Sequence, residues 1–311
     1  MDVASVQTQL RAEKHRPALE EFRRAVPFYI LLAPSFILLA VFQYYPAFMA
    51  LYGSLFEWDI GTVPKWVGLT NFVTMFTLDQ TFQQSLWIVT QLTLFGLFVV
   101  VTMPVLVAEA IFRLRDKVAA YWYRILIVLP LVIPGIVHIL IWQFLYEPDV
   151  GLVNNLLRAI GLDSWTHAWL GDPNVVVYAI MFSAFPFVGG IAVLIYLAGL
   201  QAIPQEVHDA CAVDGAVGFR QIWAIDVPYI VGQTKLNVIL GIIGQLQGFG
   251  YVFVLTQGGP ANASMVPGLW LYTNAFQFSK VGYASAIGVF LFVIILALTV
   301  INMKFIRTAT Y

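Results

Sequence analysis

Charge is what this sequence is shortest of. Only 11% of its 311 residues are Asp, Glu, Lys or Arg, and 60% are hydrophobic. A soluble globular chain carries about 25% charged residues. With a mean hydropathy of +0.82, water is not the main solvent. A formal net charge of -1 leaves no basic face for nucleic acid, so no such partner is expected. The single cysteine, Cys211, excludes an intramolecular disulfide and a cysteine-based metal cluster. No G-x-x-x-x-G-K-[ST], H-E-x-x-H or G-x-S-x-G occurs. His15, His138, His167 and His208 fall in different segments without ligand spacing. No catalytic residue, metal site or cofactor bound by this chain is expected. The first 26 residues hold five Lys or Arg but no apolar core followed by a small-residue cleavage site. The first spanning helix is therefore expected to direct insertion itself.

What is present is a series of long apolar runs, several near the roughly 20 residues a helix needs to cross a bilayer. They predict an all-α polytopic membrane protein with six spans, at 27–52, 86–112, 119–146, 175–200, 229–256 and 283–305. Residues 1–26 read as an N-terminal segment, either an amphipathic helix broken by Pro17 and Pro27 or a solvated tail. Residues 27–311 read as one transmembrane domain. Pro34, Gln43 and Pro46 in the first span, and Pro130, Pro134 and Gly135 in the third, predict bent helices.

Lys and Arg collect on the cytoplasmic side of membranes. Arg11, Lys14, Arg16, Arg23 and Arg24 lie at the N-terminus, Arg113, Arg115, Lys117 and Arg124 between spans two and three, and Lys304 and Arg307 at the C-terminus. The intervening loops hold only Lys65, Arg158 and Lys280. Both termini are thus expected in the cytoplasm, and so is the loop at about 201–228. The long opposite loops contain Trp58, Trp66, Trp165 and Trp169.

Inside span three, His138 is either a functional group or a hydrogen-bonding contact between helices. Near the cytoplasmic ends, Glu109 and Lys235 are expected to snorkel. No carboxylate is found near mid-bilayer, which weighs against an ion-coupled carrier. Span five, LNVILGIIGQLQGFGYVFVLTQGGP, carries Asn237, Gln245 and Gln247, with Gly244 and Gly248 spaced for close helix approach. Amides both donate and accept, which suits hydroxyl-rich ligands, or else they hold helices together. Phe249, Tyr251, Trp142 and Phe144 are aromatic surfaces on which a sugar ring can stack.

Between spans four and five lies EVHDACAVDGAVGFRQIWAIDVPYI, residues 206–230, with four acids and one arginine. Pro204 suits a helix start and Glu206 its first turn. Asp214-Gly215 suits its end. A second helix is expected at 217–225, and Pro228 opens span five. Glu206 and Asp209 can pair with a partner's Arg or Lys. Composition leaves a partner site and an ordinary interfacial connector both open.

The spacing Asp209-Ala210-Cys211, three residues, Gly215, nine residues, Ile225-Asp226-Val227-Pro228 resembles the EAA motif of ABC importer permeases. That pattern runs Glu-Ala-Ala, three residues, Gly, nine residues, Ile-x-Leu-Pro. WVGLTNF, PDVGLVNNLL, WLGDPN, LAGLQAIP, VLTQGGP and GYASAIG are similar to segments of the carbohydrate-uptake branch. The resemblance implies the type I importer permease fold, in a prokaryotic plasma membrane. It implies that Glu206, Asp209, Ala210, Cys211, Asp214, Gly215 and Pro228 belong to a coupling loop that docks on a cytoplasmic ATPase. It also implies a second permease subunit, two ATPase subunits that hold ATP and Mg, and an extracytoplasmic sugar-binding protein. With span five lining the pathway, Asn237, Gln245, Gln247, Phe249, Tyr251 and Trp142 become the candidate substrate contacts. The alternatives are a secondary, ion-coupled transporter and a membrane-embedded enzyme. Asp209, Cys211 and Val227 depart conservatively from the pattern.

Overall fold

The structure, a computed structural model, describes the backbone of residues 18–305. Arg11, Lys14, Arg16, Pro17 and Arg307 lie outside the described residues, as does most of the expected N-terminal amphipathic helix. Two units are distinguished, residues 1–52 and residues 53–311.

The first unit is a helix, α1 (Ala18–Leu39), which passes through a π-helical turn at Ala40–Tyr44 into α2 (Tyr45–Gly53). Pro27 was expected to break it but sits inside α1 with Pro34. A proline removes one backbone hydrogen bond without ending a helix when the rest of the turn holds. Between Ala25 and Gly53 the segment is apolar enough to cross a membrane, and none of its most apolar stretch is buried.

In the second unit a short hairpin, β1 (Phe56–Glu57) and β2 (Lys65–Trp66), pairs Phe56 with Trp66 and leads into α3 (Thr70–Thr77). Asn71 Nδ2 donates to the carbonyls of Ser54 and Phe56, each at 2.9 Å, and fixes the entry. Next comes the 33-residue α4 (Gln80–Phe112), which starts six residues before the expected span. Asp79 caps it, accepting from Phe82 N at 2.8 Å, which satisfies one free N–H of the first turn. Further along, α5 (Lys117–Val128) and α6 (Gly135–Leu145) make a broken span bent by 86° at Pro130 and Pro134.

The loop after α6 holds α7 (Leu152–Ala159). Buried Asn154 ties this loop together. Its amide donates to Pro148 O at 3.0 Å and His167 O at 2.9 Å, and its Oδ1 accepts from Trp169 Nε1 at 2.7 Å. The fourth expected span is not one helix. It is α8 (Val176–Phe182), an irregular stretch through Pro186, then α9 (Gly190–Gln201). After it come α10 (Gln205–Val213) and α11 (Phe219–Tyr229), the latter containing a π-helical turn at Ile222–Asp226. The fifth expected span is α12 (Val231–Gln247) and α13 (Gly250–Leu255), parted at Gly248. Pro267 starts α14 (Pro267–Tyr272), and α15 (Val281–Phe305) ends the described chain.

Among the described residues three helices alone are long and apolar enough to cross a membrane, and up to six spans result if each bent pair counts as one. One core joins α4, α8, α12, α13 and α14 around Ile88, Val176, Ile242, Val252, Val266 and Leu269. A second sits where α4 meets α9, around Ala108, Ile111, Tyr196, Leu200 and Ile230. Exposed apolar residues cover the rest, among them Leu94, Phe98 and Phe292. Without water there is no penalty for such a surface, which is the condition a bilayer supplies.

Candidate functional site

The polar insert folds as a helix, a glycine turn and a second helix. Pro204 takes the N-cap rather than the first helical position, with extended backbone. Glu206 stands in the first turn of α10. The helix ends in a Schellman turn: Ala216 N donates to Cys211 O at 2.8 Å and Gly215 N to Ala212 O at 3.3 Å. Gly215 has φ +67°, a conformation that costs an L-residue roughly 1–2 kcal/mol. The second helix starts at Phe219, two residues later than expected, because Gly218 also takes a positive φ. It then runs through Pro228 to Tyr229 and turns 66° into α12. Pro228 is therefore inside the insert rather than at the start of span five.

Glu206, Asp209, Ala210, Asp214 and Gly215 are exposed. Asp209 Oδ1 accepts from Gln205 Nε2 at 3.0 Å. Cys211 departs from expectation: it is 6% exposed and faces the protein. Three successive helical residues point about 100° apart, so Ala210-Cys211-Ala212 cannot present one face. Exposed Val213, Val217, Phe219 and Trp223 add an apolar side to the insert.

Sequence reasoning missed what holds the insert in place. Arg113, at the end of α4, donates from Nε to Glu109 Oε2 at 3.0 Å and from an Nη to Gln221 Oε1 at 3.4 Å. Its other Nη is paired with Asp226 Oδ2. Gln221 Nε2 meets His208 Nδ1 at 2.8 Å, and the His208 ring lies 5.7 Å from that of Phe112. Asp226 is wholly buried and Glu109 is 3% exposed, so Glu109 does not snorkel. A buried carboxylate is tolerated when a guanidinium is beside it. Lys235 Nζ donates to Met303 O at 2.8 Å, linking α12 to α15.

A cavity of about 490 Å³ lies between α4, α6, α8 and α12. Gln245, Tyr251, His138, Ser183 and Phe95 line it. Tyr251 donates to Ser183 Oγ at 2.6 Å, and Ser183 Oγ donates to Ile180 O at 2.6 Å. His138 Nε2 is 3.1 Å from Ser183 O and therefore carries the proton. It is both a contact to the broken helix and a wall of the cavity. Gly244 faces open space and Gly248 ends α12, so this pair does not bring a neighbouring helix close. The close approach is at Gly96, where an added Cβ would lie 2.5 Å from Gln245 Nε2.

Of the other expected contacts, none lines this cavity. Asn237 is buried at 3% exposure within α12. Gln247 and Phe249 line a separate groove of about 260 Å³ with Gly268, Gly288 and Phe292. Trp142 is buried behind the wall, its ring 6.4 Å from that of His138 and 5.2 Å from that of Tyr146. Residues two apart on a helix point about 200° apart, so Gln245 and Gln247 cannot share a wall. A third cavity, about 660 Å³, lies at the opposite end of α4 from Arg113, lined by Glu57, Asp59, Asp79, Trp270, Lys280 and Tyr283. Among the described residues no group of three His, Cys, Asp or Glu is placed to hold a metal ion.

No protein-family model matches the chain. It is 37% identical to the probable ABC transporter permease protein YurN of Bacillus subtilis, over 90% of this chain and 96% of that protein. It is 31% identical to the diacetylchitobiose uptake system permease protein NgcF of Streptomyces coelicolor, over 93% of this chain and 85% of that one. Identity to the sn-glycerol-3-phosphate transport system permease protein UgpA of Agrobacterium fabrum is 31%, over 90% and 94%. Among solved structures, a bacterial ABC transporter involved in the import of the acidic polysaccharide alginate contains a chain that superposes with a TM-score of 0.82. That match has 24% identity and covers 94% of this chain and 99% of the other. At that identity the likeness carries the fold alone.

Proposed function

The chain belongs to the permease proteins of ABC transporters, and from that premise we propose that it imports a sugar or oligosaccharide. In this reading it forms half of a translocation pathway with a second, different permease chain. Two cytoplasmic ATPase subunits supply the hydrolysis, with ATP and Mg held on them and not here. A substrate-binding protein delivers the sugar from outside. The membrane is a prokaryotic plasma membrane, with both termini and the 201–228 loop in the cytoplasm. The ion-coupled alternative finds no support among the relatives.

The observation that carries this reading is the insert. Its helices leave Glu206, Asp209 and Asp214 exposed, as they do Val213 and Trp223, while buried Asp226 anchors the insert. That is an interface mixing acid and apolar contacts, suited to a groove with basic rims. In this reading residues 27–311 are the permease domain and 1–26 a cytoplasmic N-terminal segment, with α1 running across the boundary between them.

The sugar assignment rests on the cavity. Gln245, Tyr251, His138 and Ser183 offer donors and acceptors, and Phe95 offers a ring. Among the described residues no Lys, Arg, Asp or Glu lines it. Hydroxyls are satisfied there, whereas an anion would be buried without a counter-charge. Among the relatives' cargoes, a neutral saccharide such as the diacetylchitobiose of NgcF fits these walls better than a phosphate ester. We place Gln245 and Tyr251 as substrate contacts, with His138 and Ser183 beside them.

Purification from the source membranes in mild detergent, with mass spectrometry of what accompanies the chain, tests this. The expected companions are an ATPase bearing G-x-x-x-x-G-K-[ST] and a second polytopic chain. A chain that purifies alone and transports after reconstitution overturns the proposal.

A further inference from the structure

Docking a loop on an ATPase does not by itself move a membrane cavity. Something must connect them, and the Arg113 cluster is built to do so. Its guanidinium holds Glu109 on its own helix, and Gln221 and Asp226 on α11. Through Gln221 it reaches His208 on α10. Both arms of the insert are thus tied to one residue at the end of α4.

The same helix forms a wall of the 490 Å³ cavity through Leu92, Phe95, Gly96 and Val99. Gly96 and Arg113 lie about 25 Å apart along one helix, at 1.5 Å per residue. The helix runs unbroken over that length, with Pro104 inside it as its one weakened turn, so displacement at Arg113 is carried along α4 toward the Gly96–Gln245 contact.

Among the described residues, three buried polar atoms in the cluster have no hydrogen-bond partner: Glu109 Oε1, Asp226 Oδ1 and His208 Nε2. Unsatisfied buried groups cost free energy, and native proteins rarely leave three together. Here they give the cluster spare acceptors and a spare nitrogen. Each carboxylate keeps a second oxygen inside the cluster, so a small shift of α11 against α4 leaves Arg113 paired.

We infer that Arg113 is the positioning residue that transmits movement of the 205–229 loop to α4 and so to the cavity wall. The inference rests on the coupling-loop reading above. It makes Arg113 a mechanical link, with no contact to substrate or nucleotide.

The test uses the whole complex, reconstituted in vesicles, with maltose and diacetylchitobiose as probes and the binding protein that accompanies the complex. Two quantities are read: ATP hydrolysed and sugar taken up. Arg113→Ala should keep the ATPase bound and hydrolysing while sugar moved per ATP falls about ten-fold, within the usual range of coupling energies. Arg113→Lys should restore part of it, since lysine supplies charge without the fork. Should Arg113→Ala fail to accumulate because two carboxylates are left unpaired, a triple variant decides. Arg113→Met with Glu109→Gln and Asp226→Asn removes all three charges together and is expected to fold. It should also be uncoupled. Wild-type sugar per ATP in that triple variant, or in Arg113→Ala, overturns the inference and leaves the coupling-loop reading standing. A wild-type chain that retains no ATPase overturns both.

Discussion

Gln245 lies against the bare Cα of Gly96, so close that a Cβ there would come within 2.5 Å of its Nε2 and 3.1 Å of its Cδ. The contact joins α4 to α12 across the cavity. Gly96→Ala should push the flexible amide aside and lower uptake several-fold, without loss of assembly. In a double-mutant cycle, Gly96→Ala should cost little once Gln245→Ala is present, because residues in contact are not additive. Additive losses in uptake assays would mean that the two positions act separately.

Gly215 is required by its backbone. At φ +67° it closes the turn after α10. Gly215→Val, β-branched and disfavoured at positive φ, should abolish uptake while the chain still inserts, whereas Gly215→Asn, better tolerated in the left-handed region, should keep part of it. Membrane fractionation and uptake measured together check this. Normal uptake by Gly215→Val would exclude the turn from coupling.

Asp79 holds three groups: Phe82 N at 2.8 Å, Trp270 Nε1 at 2.7 Å and Tyr283 Oη at 2.5 Å. It joins the start of α4 to α14 and α15. Asp79→Ala removes a cap and leaves two donors without an acceptor, a cost of about 2–4 kcal/mol. Asp79→Asn keeps the cap oxygen and should lose less. Thermal unfolding in detergent reads the order wild type, Asn, Ala. Equal midpoints for all three would show that Asp79 holds nothing.

Cys211 is 6% exposed. A maleimide should label it slowly in the folded protein and quickly in denaturant. Rapid labelling of native protein would mean that α10 is turned differently on its core.

The spans, the insert and the turn at Gly215 were legible because hydropathy and glycine are local signals. Facing was not. Between Asn237 and Gln245 every position of α12 is apolar or glycine, so periodicity could not say that Asn237 points into the core and Gln245 into the cavity. The break between α8 and α9 is masked by the same uniform hydropathy, although Pro186 marks it. The pairing of Arg113 with Asp226 spans 113 residues. No local pattern reports it, and Arg113 had an adequate explanation as a topological charge. Glu109 was misplaced for the same reason. An acid four residues before an arginine, on a helix end, was the available signal.

The most direct test of the account is a crosslink from the exposed face of α10. Asp209→Cys, in a Cys211→Ser background, is treated in native membranes with a short bifunctional thiol reagent. The predicted product is the chain joined to an ATPase carrying G-x-x-x-x-G-K-[ST], its yield changing when ATP is added. If position 209 crosslinks to no ATPase while the same membranes import sugar normally, the insert is not the docking site and the account fails.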